Sequence, residues 1–283
     1  MATPRLTRFE LRGSDDGPLR GDIRAAGDGN GCPAVVICHG FKGFKDWGFF
    51  PHIAARLAHA GCVAVSFNFS GSGVGPDGES FSEPERFGHM TYTGDLTDLD
   101  TVVSALRSGK LAPDLAPPTR VGVLGHSRGG GTAILFADRF PRIDALVTWS
   151  AIAKPLRWGG KTLVKWRVSG KLDVENARTG EVLPLYRDLL DEIKGDREGR
   201  FEIRGAAGRL DMPWLIVHGE RDDVVPLAEA ETLAGAGAQV AELLTIAHGG
   251  HTFGARHPWA GTTPELDQAM DATVDWFVRH LFG

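Results

Sequence analysis

The sequence predicts an α/β sandwich built around a mostly parallel sheet, and three observations predict it. Six short runs are rich in apolar and β-branched residues: "PAVVICHG" (33–40), "CVAVSFNF" (62–69), "RVGVLGHS" (120–127), "ALVTWS" (145–150), "PWLIVHG" (213–219) and "AELLTIAHG" (241–249). Most lack polar alternation, which is the pattern of strands covered on both faces. Helical periodicity fills the spaces between them, and alternating strands and helices build a parallel sheet with helices on both sides. Finally, a serine flanked by glycines stands where the third run gives way to a helical pattern.

In chain order, "RFELRG" (8–13) and "LRGDIRAA" (19–26) read as a leading antiparallel pair. Over 95–109, Leu96, Leu99, Val102, Val103 and Leu106 fall on one helical face. The segment 128–139, "RGGGTAILFADR", starts a helix straight after the serine. Near the end, Thr263-Pro264 has the form of an N-cap followed by proline at the first helical position. Met270, Val274, Phe277, Val278 and Leu281 then make an apolar stripe. Between Ser150 and Pro213 lie roughly 60 residues, too many for a plain loop in a compact domain. Residues 1–150 and 213–283 are therefore expected to form the core domain, and 151–212 an inserted, mainly helical cap.

The chain has 283 residues, 42% hydrophobic and 24% charged, with net charge -5. That is globular composition without the basic excess of a nucleic-acid binder. The N-terminus lacks the apolar stretch of a signal peptide, and no run reaches the roughly 18 apolar residues of a membrane span. The expected location is the cytoplasm. Cys32, Cys38 and Cys62 are an odd count without secretory features, so a disulfide framework is not expected. Cys38 and Cys62 read as small buried hydrophobes. No metal-ligand spacing is present, and no metal or cofactor is expected.

The chemistry centres on Gly125-His126-Ser127-Arg128-Gly129. A G-x-S-x-G sequence between a strand and a helix puts serine on a tight turn with its Oγ above the sheet. Side chains at the flanking positions would crowd the turn. The helix N-terminus that follows favours negative charge developing on a reacting carbonyl. Serine needs a base, and the base an orienting carboxylate. In the order serine, acid, histidine, both should follow later strands. "LIVHGERDDVVP" offers Asp222, with Asp223 second; "LLTIAHGGHTFG" offers His251. His248 is expected to face the interior or the strand edge, and His257, before Pro258, the surface. Oxyanion donors are expected at the N–H of Arg128 and of Phe41, the latter after His39-Gly40. The Arg128 side chain is expected to line the entrance.

Together these pieces resemble the α/β-hydrolase superfamily over nearly the whole chain, from "HGFKGFKDW" through "SFNFSGSGVG" and "GHSRGG" to "HGERDDVVP" and "GGHTFG". The nearest likeness is to dienelactone-hydrolase-like and feruloyl-esterase-like enzymes, with a further resemblance to the serine aminopeptidase and monoglyceride lipase branch. The resemblance implies an α/β-hydrolase fold with a cap after the strand that follows the nucleophile helix. Two departures stand out. Dienelactone hydrolases proper use cysteine where this chain has Ser127. Many relatives read F-D-x-R-G-x-G where this chain has Phe67-Asn68-Phe69-Ser70-Gly71-Ser72-Gly73, so a common structural ion pair is missing.

The expected function is serine hydrolysis of small carboxylic esters through an acyl-enzyme, with Ser127, Asp222 and His251 as the triad. Thioesters, amides and lactones pass through the same intermediate. An acyltransferase, an aminopeptidase and a non-catalytic ligand-binding protein remain alternatives on the same fold. Phe44, Trp47, Trp158 and Trp166 are candidate pocket residues. The aromatic loop 41–50 and the two cap tryptophans have a second reading as packing. Lys154, Arg157, Lys161, Lys165, Arg167 and Lys171 precede any acid in the cap. They either draw in an anionic substrate or, the reading we favour, form a solvated face. Glu83, Glu85 and Arg86 are expected in an irregular loop.

Overall fold

A computed structural model describes residues 4–27, 31–140, 142–176 and 180–283. The chain opens with an antiparallel pair, β1 (Arg5–Arg12) and β2 (Pro18–Ala25), as expected. It continues through β3 (Ala34–Cys38), α1 (Phe50–His59) and β4 (Val63–Phe67), then a 3-10 turn at Ser70–Ser72. Next come α2 (Pro84–Gly88), α3 (Tyr92–Arg107), β5 (Val121–His126), α4 (Arg128–Arg139) and β6 (Ala145–Trp149). After these follow α5 (Gly160–Ser169), β7 (Lys171–Glu175), β8 (Val182–Tyr186), α6 (Arg187–Gly195) and α7 (Ile203–Ala207). The chain closes with β9 (Trp214–Gly219), α8 (Leu227–Ala236), β10 (Ala241–Ile246) and α9 (Pro264–Leu281).

Eight strands form one sheet in the order β1-β2-β4-β3-β5-β6-β9-β10, parallel from β4 to β10. Every residue of β3, β4, β5, β6 and β9 is buried, which is why their sequences are apolar throughout. One face carries α1 and α9; on the other α3 packs on α4, and α7 joins α4 to α8. Thr91 and Thr263 cap α3 and α9 by accepting the N–H groups of Gly94 and Leu266. In α9 the expected stripe shifts: Met270, Phe277 and Leu281 are buried with Thr273 and Trp276, while Val278 is exposed. Thr273 accepts a buried hydrogen bond from Trp149 Nε1 at 2.8 Å, so the polar position is paid into the core by a partner the stripe did not reveal.

Between β6 and β9 the helices expected for 151–212 are α5, α6 and α7. The segment also contains a β7–β8 antiparallel hairpin that the sequence did not predict. Its last helix, α7, packs on α4 and α8. Polar contacts tie the rest of the segment to the α2–α3 corner. Glu192 accepts the N–H groups of Tyr92 and Thr93 at 2.7 and 2.9 Å, and the Tyr186 hydroxyl donates to Glu85 at 2.9 Å. That corner is the helix α2, not the irregular loop expected around Glu83, Glu85 and Arg86. Arg86 there bridges Asp15 and Glu83. No described helix is long and apolar enough to cross a membrane.

Candidate active site

Ser127 sits between β5 and α4 with φ 56° and ψ -119°, in the positive-φ half of backbone space that L side chains rarely adopt. The turn is held by its neighbours. Ser127 N–H donates to the Trp149 carbonyl at 2.9 Å, and its own carbonyl accepts Gly130 N–H at 3.0 Å. The flanking glycines are required by close backbone approach. A Cβ at Gly125 would stand 2.4 Å from the Gly129 carbonyl oxygen, and one at Gly129 would stand 2.3 Å from that of His39. The glycines thus let the Ser127 turn press against the end of β3 as well as on itself.

That contact brings the loop after β3 beside the serine. A Cβ at Gly40 would lie 3.0 Å from Ser127 Cβ. The Gly40 carbonyl accepts from His39 Nδ1 at 2.9 Å and from Gly43 N–H at 3.0 Å. In a trans peptide the N–H points opposite to the carbonyl, so the Phe41 N–H is turned away from the His39 ring. The Arg128 N–H is the first of α4, one of the donors a helix leaves without an internal partner. The Arg128 side chain is buried rather than placed at an entrance. It donates to Asp95 at 2.7 and 3.1 Å and stacks 4.1 Å over the Tyr92 ring. Burial pushes the Asp95 carboxyl up to about 6 even with this partner.

Asp222 and His251 follow β9 and β10. His251 Nδ1 lies 2.9 Å from Asp222 Oδ2, and Asp222 Oδ1 accepts the N–H groups of Val224 and Val225 at 2.9 and 2.8 Å. Burial alone would raise the Asp222 carboxyl. The His251 hydrogen bond and the two backbone donors outweigh it and hold the group below its ordinary value. Asp223 is exposed. His248 is exposed too, in a turn beyond the end of β10, not at the interior or strand edge. His257 is also not a plain surface residue. Its Nδ1 accepts Gly48 N–H at 3.1 Å, and its ring packs on Phe44 and Trp47.

Ser127 and His251 line one cavity of about 470 Å³. Phe41, Trp47, Phe50 and Trp158 supply aromatic wall, and Tyr92, Ile152 and Val225 add to it. Of the candidate pocket residues, Trp47 and Trp158 reach the cavity. Phe44 does not: it is buried against Phe81 and His257. Trp166 stands behind Trp158, ring centroids 5.2 Å apart, and is fully buried. Among the six cap cations only Arg157 lines the cavity, and it pairs with Glu229. Sequence reasoning missed Tyr92, whose position at the start of α3 carries no motif.

The departure at 67–73 is compensated locally. Asn68 Oδ1 accepts Lys45 N–H at 2.6 Å, and Ser70 donates to Asp98 through both its N–H and its hydroxyl at 2.7 Å.

The serine aminopeptidase, S33, family matches residues 30–184, over half of the chain. The chain belongs to that family of α/β-hydrolases. The hydrolase is 26% identical to the 2,6-dihydropseudooxynicotine hydrolase of Paenarthrobacter nicotinovorans over 205 residues, covering 71% of this chain and 47% of the relative. It therefore spans about half the length of that relative. It is also 26% identical to the monoacylglycerol lipase of Mycolicibacterium smegmatis over 270 residues, covering 87% of this chain and 88% of the lipase. Its fold matches that of Est1E from Butyrivibrio proteoclasticus, solved with ferulic acid bound. The TM-score is 0.69 at 19% identity, covering 99% of this chain and 97% of that one.

Proposed function

We propose that this hydrolase cleaves carboxylic esters of small molecules through a serine acyl-enzyme. The observation that carries the reading is the His251–Asp222 hydrogen bond at 2.9 Å, with His251 and the strained Ser127 facing one cavity. Ser127 Oγ attacks the acyl carbon and His251 Nε2 takes its proton. The Phe41 and Arg128 N–H groups hold the oxyanion. The leaving alcohol departs with the proton from His251. Water then attacks the acyl carbon, again through His251, and the acid leaves. Asp222 keeps Nε2 the free nitrogen and stabilises the imidazolium. Residues 151–212 act as the cap, with Trp158 closing the cavity over the site. The buried thiols of Cys38 and Cys62 suit a reducing compartment such as the cytoplasm.

The family description raises a peptidase reading. An aminopeptidase must hold a free α-ammonium, which calls for a carboxylate facing the substrate. Among the described residues the cavity wall has no carboxylate and carries Lys42, Arg128 and Arg157. The largely aromatic and apolar remainder of the wall fits an uncharged ester instead, in keeping with the monoacylglycerol lipase relative.

The test combines fluorophosphonate labelling with a substrate panel of p-nitrophenyl esters, a thioester and an aminoacyl p-nitroanilide. The expected result is a Ser127-dependent adduct with ester turnover well above the other two. Folded protein that takes no label supports a binding role instead, and faster anilide turnover supports the peptidase. Transfer to added alcohol in preference to water supports an acyltransferase.

A further inference from the structure

Three buried histidines adjoin this site, His126 at the cavity wall itself, and none of them is the proposed base. His39, His126 and His218 are each almost wholly removed from solvent. Each has one ring nitrogen on a backbone carbonyl, and a neutral imidazole has one donor, so the carbonyl fixes the tautomer. His39 donates from Nδ1 to Gly40 at 2.9 Å, and its Nε2 accepts Phe69 N–H at 3.2 Å. His126 donates from Nε2 to the carbonyl of His251 at 3.0 Å. His218 donates from Nε2 to the carbonyl of Val225 at 2.8 Å, and the same nitrogen lies 3.4 Å from Asp222 Oδ2. Burial pushes all three rings below the ordinary histidine range, to about 4 for His39 and about 3 for His126.

The three carbonyls are not arbitrary. Gly40 precedes the Phe41 donor. Val225 closes the turn whose N–H groups hold Asp222. His251 carries the base, in a stretch between β10 and α9 that has neither helix nor strand. Its ring is anchored by Asp222 and its carbonyl by His126, the residue next to Ser127 in the chain. The buried end of β5 therefore holds nucleophile and base together.

Building on the triad reading above, we propose that His39, His126 and His218 are positioning residues. Each uses its single ring N–H to hold the carbonyl that sets the oxyanion loop, the base and the acid, respectively.

The ring position of the donor makes a specific test. A glutamine side chain presents its amide N–H near where histidine has Nε2, and asparagine near Nδ1. His126→Gln, His218→Gln and His39→Asn keep the donor in place. The swapped amides, His126→Asn, His218→Asn and His39→Gln, misplace it, and methionine at each position removes it. With a p-nitrophenyl ester, kcat is expected to fall about 10- to 100-fold in the swapped and methionine variants, as loss of catalytic alignment does. KM is expected to stay within about twofold, and the matched amides to remain within about threefold of wild-type kcat. Rates of fluorophosphonate labelling follow the same order. If a methionine variant does not fold, the matched and swapped amides decide. Equal kcat for matched and swapped amides overturns the proposal, as does a loss confined to KM or to thermal stability. Wild-type protein with no Ser127-dependent ester turnover overturns the triad reading itself, and this proposal with it.

Discussion

Arg157 donates to the carbonyl oxygen of Val224 at 2.7 Å, which ties the segment above the sheet to the turn that carries Asp222. The same guanidinium meets Glu229 at 2.5 Å, and Glu229 also accepts Ala153 N–H at 2.7 Å. One side chain thus joins the cavity wall, the Asp222 turn and α8. Arg157→Met keeps the length and removes the donors. We expect kcat on an ester to fall roughly tenfold as the Asp222 turn loosens. The stability loss should be only about 1 kcal/mol, because the ion pair is partly exposed. Steady-state kinetics beside urea unfolding checks both numbers.

Ser127→Ala should abolish ester turnover, by at least about 10³-fold, while leaving the chain folded. It also keeps a Cβ at the strained φ of 56°. Ser127→Gly removes that Cβ. It should be equally inactive yet more stable than the alanine variant, by roughly 1 kcal/mol after the extra chain entropy of glycine is subtracted. Calorimetry of the two variants separates strain from chemistry.

Gly129→Ala would place a methyl 2.3 Å from the His39 carbonyl oxygen and 2.6 Å from that of Cys38. Both are backbone atoms, so β3 or α4 must shift. A loss of about 1–3 kcal/mol and poor turnover are expected. Gly195→Ala, where the added carbon meets nothing within 4 Å, should change stability by less than about 0.5 kcal/mol. Unfolding curves of this pair show whether the glycine requirement is local.

Stability should fall as pH drops below about 6.5, the ordinary histidine value. Above it, folded and unfolded chains both hold His39, His126 and His218 neutral. Below it the unfolded chain takes up protons first, because burial keeps the folded rings neutral to about 4 for His39 and about 3 for His126. Asp222, held below its ordinary value, contributes with the same sign at lower pH, its share being lost as the carboxylate is protonated. Melting temperatures from pH 8 to 4 measure the slope, and His126→Gln should make it shallower. An unchanged slope in that variant would contradict the account.

The fold and the proposed site were legible in the sequence because both rest on local rules. Fully buried parallel strands must be apolar along their length, so β3, β4, β5, β6 and β9 stand out. The edge strand β10 ends earlier than its sequence suggests, since beyond Ile246 the chain turns and pairing stops. Ser127 was visible because its turn demands glycines in the sequence itself, and Asp222 and His251 because they follow strands in a fixed order. Other features are set by contacts between distant segments and leave no local mark. The β7–β8 hairpin is half exposed: β7 alternates charged and apolar residues, and the short apolar run of β8 is broken by Pro184. Trp158 and Trp166 have similar spacing and chemistry, yet only one faces the cavity. Arg128 lies in the motif itself, but whether its side chain meets substrate or a buried Asp95 depends on what α3 brings alongside it. Sequence by itself determined which residues can be apolar, turn or react. Tertiary structure decided which of them meet, because desolvation and hydrogen-bond partners come from chain segments far apart in number.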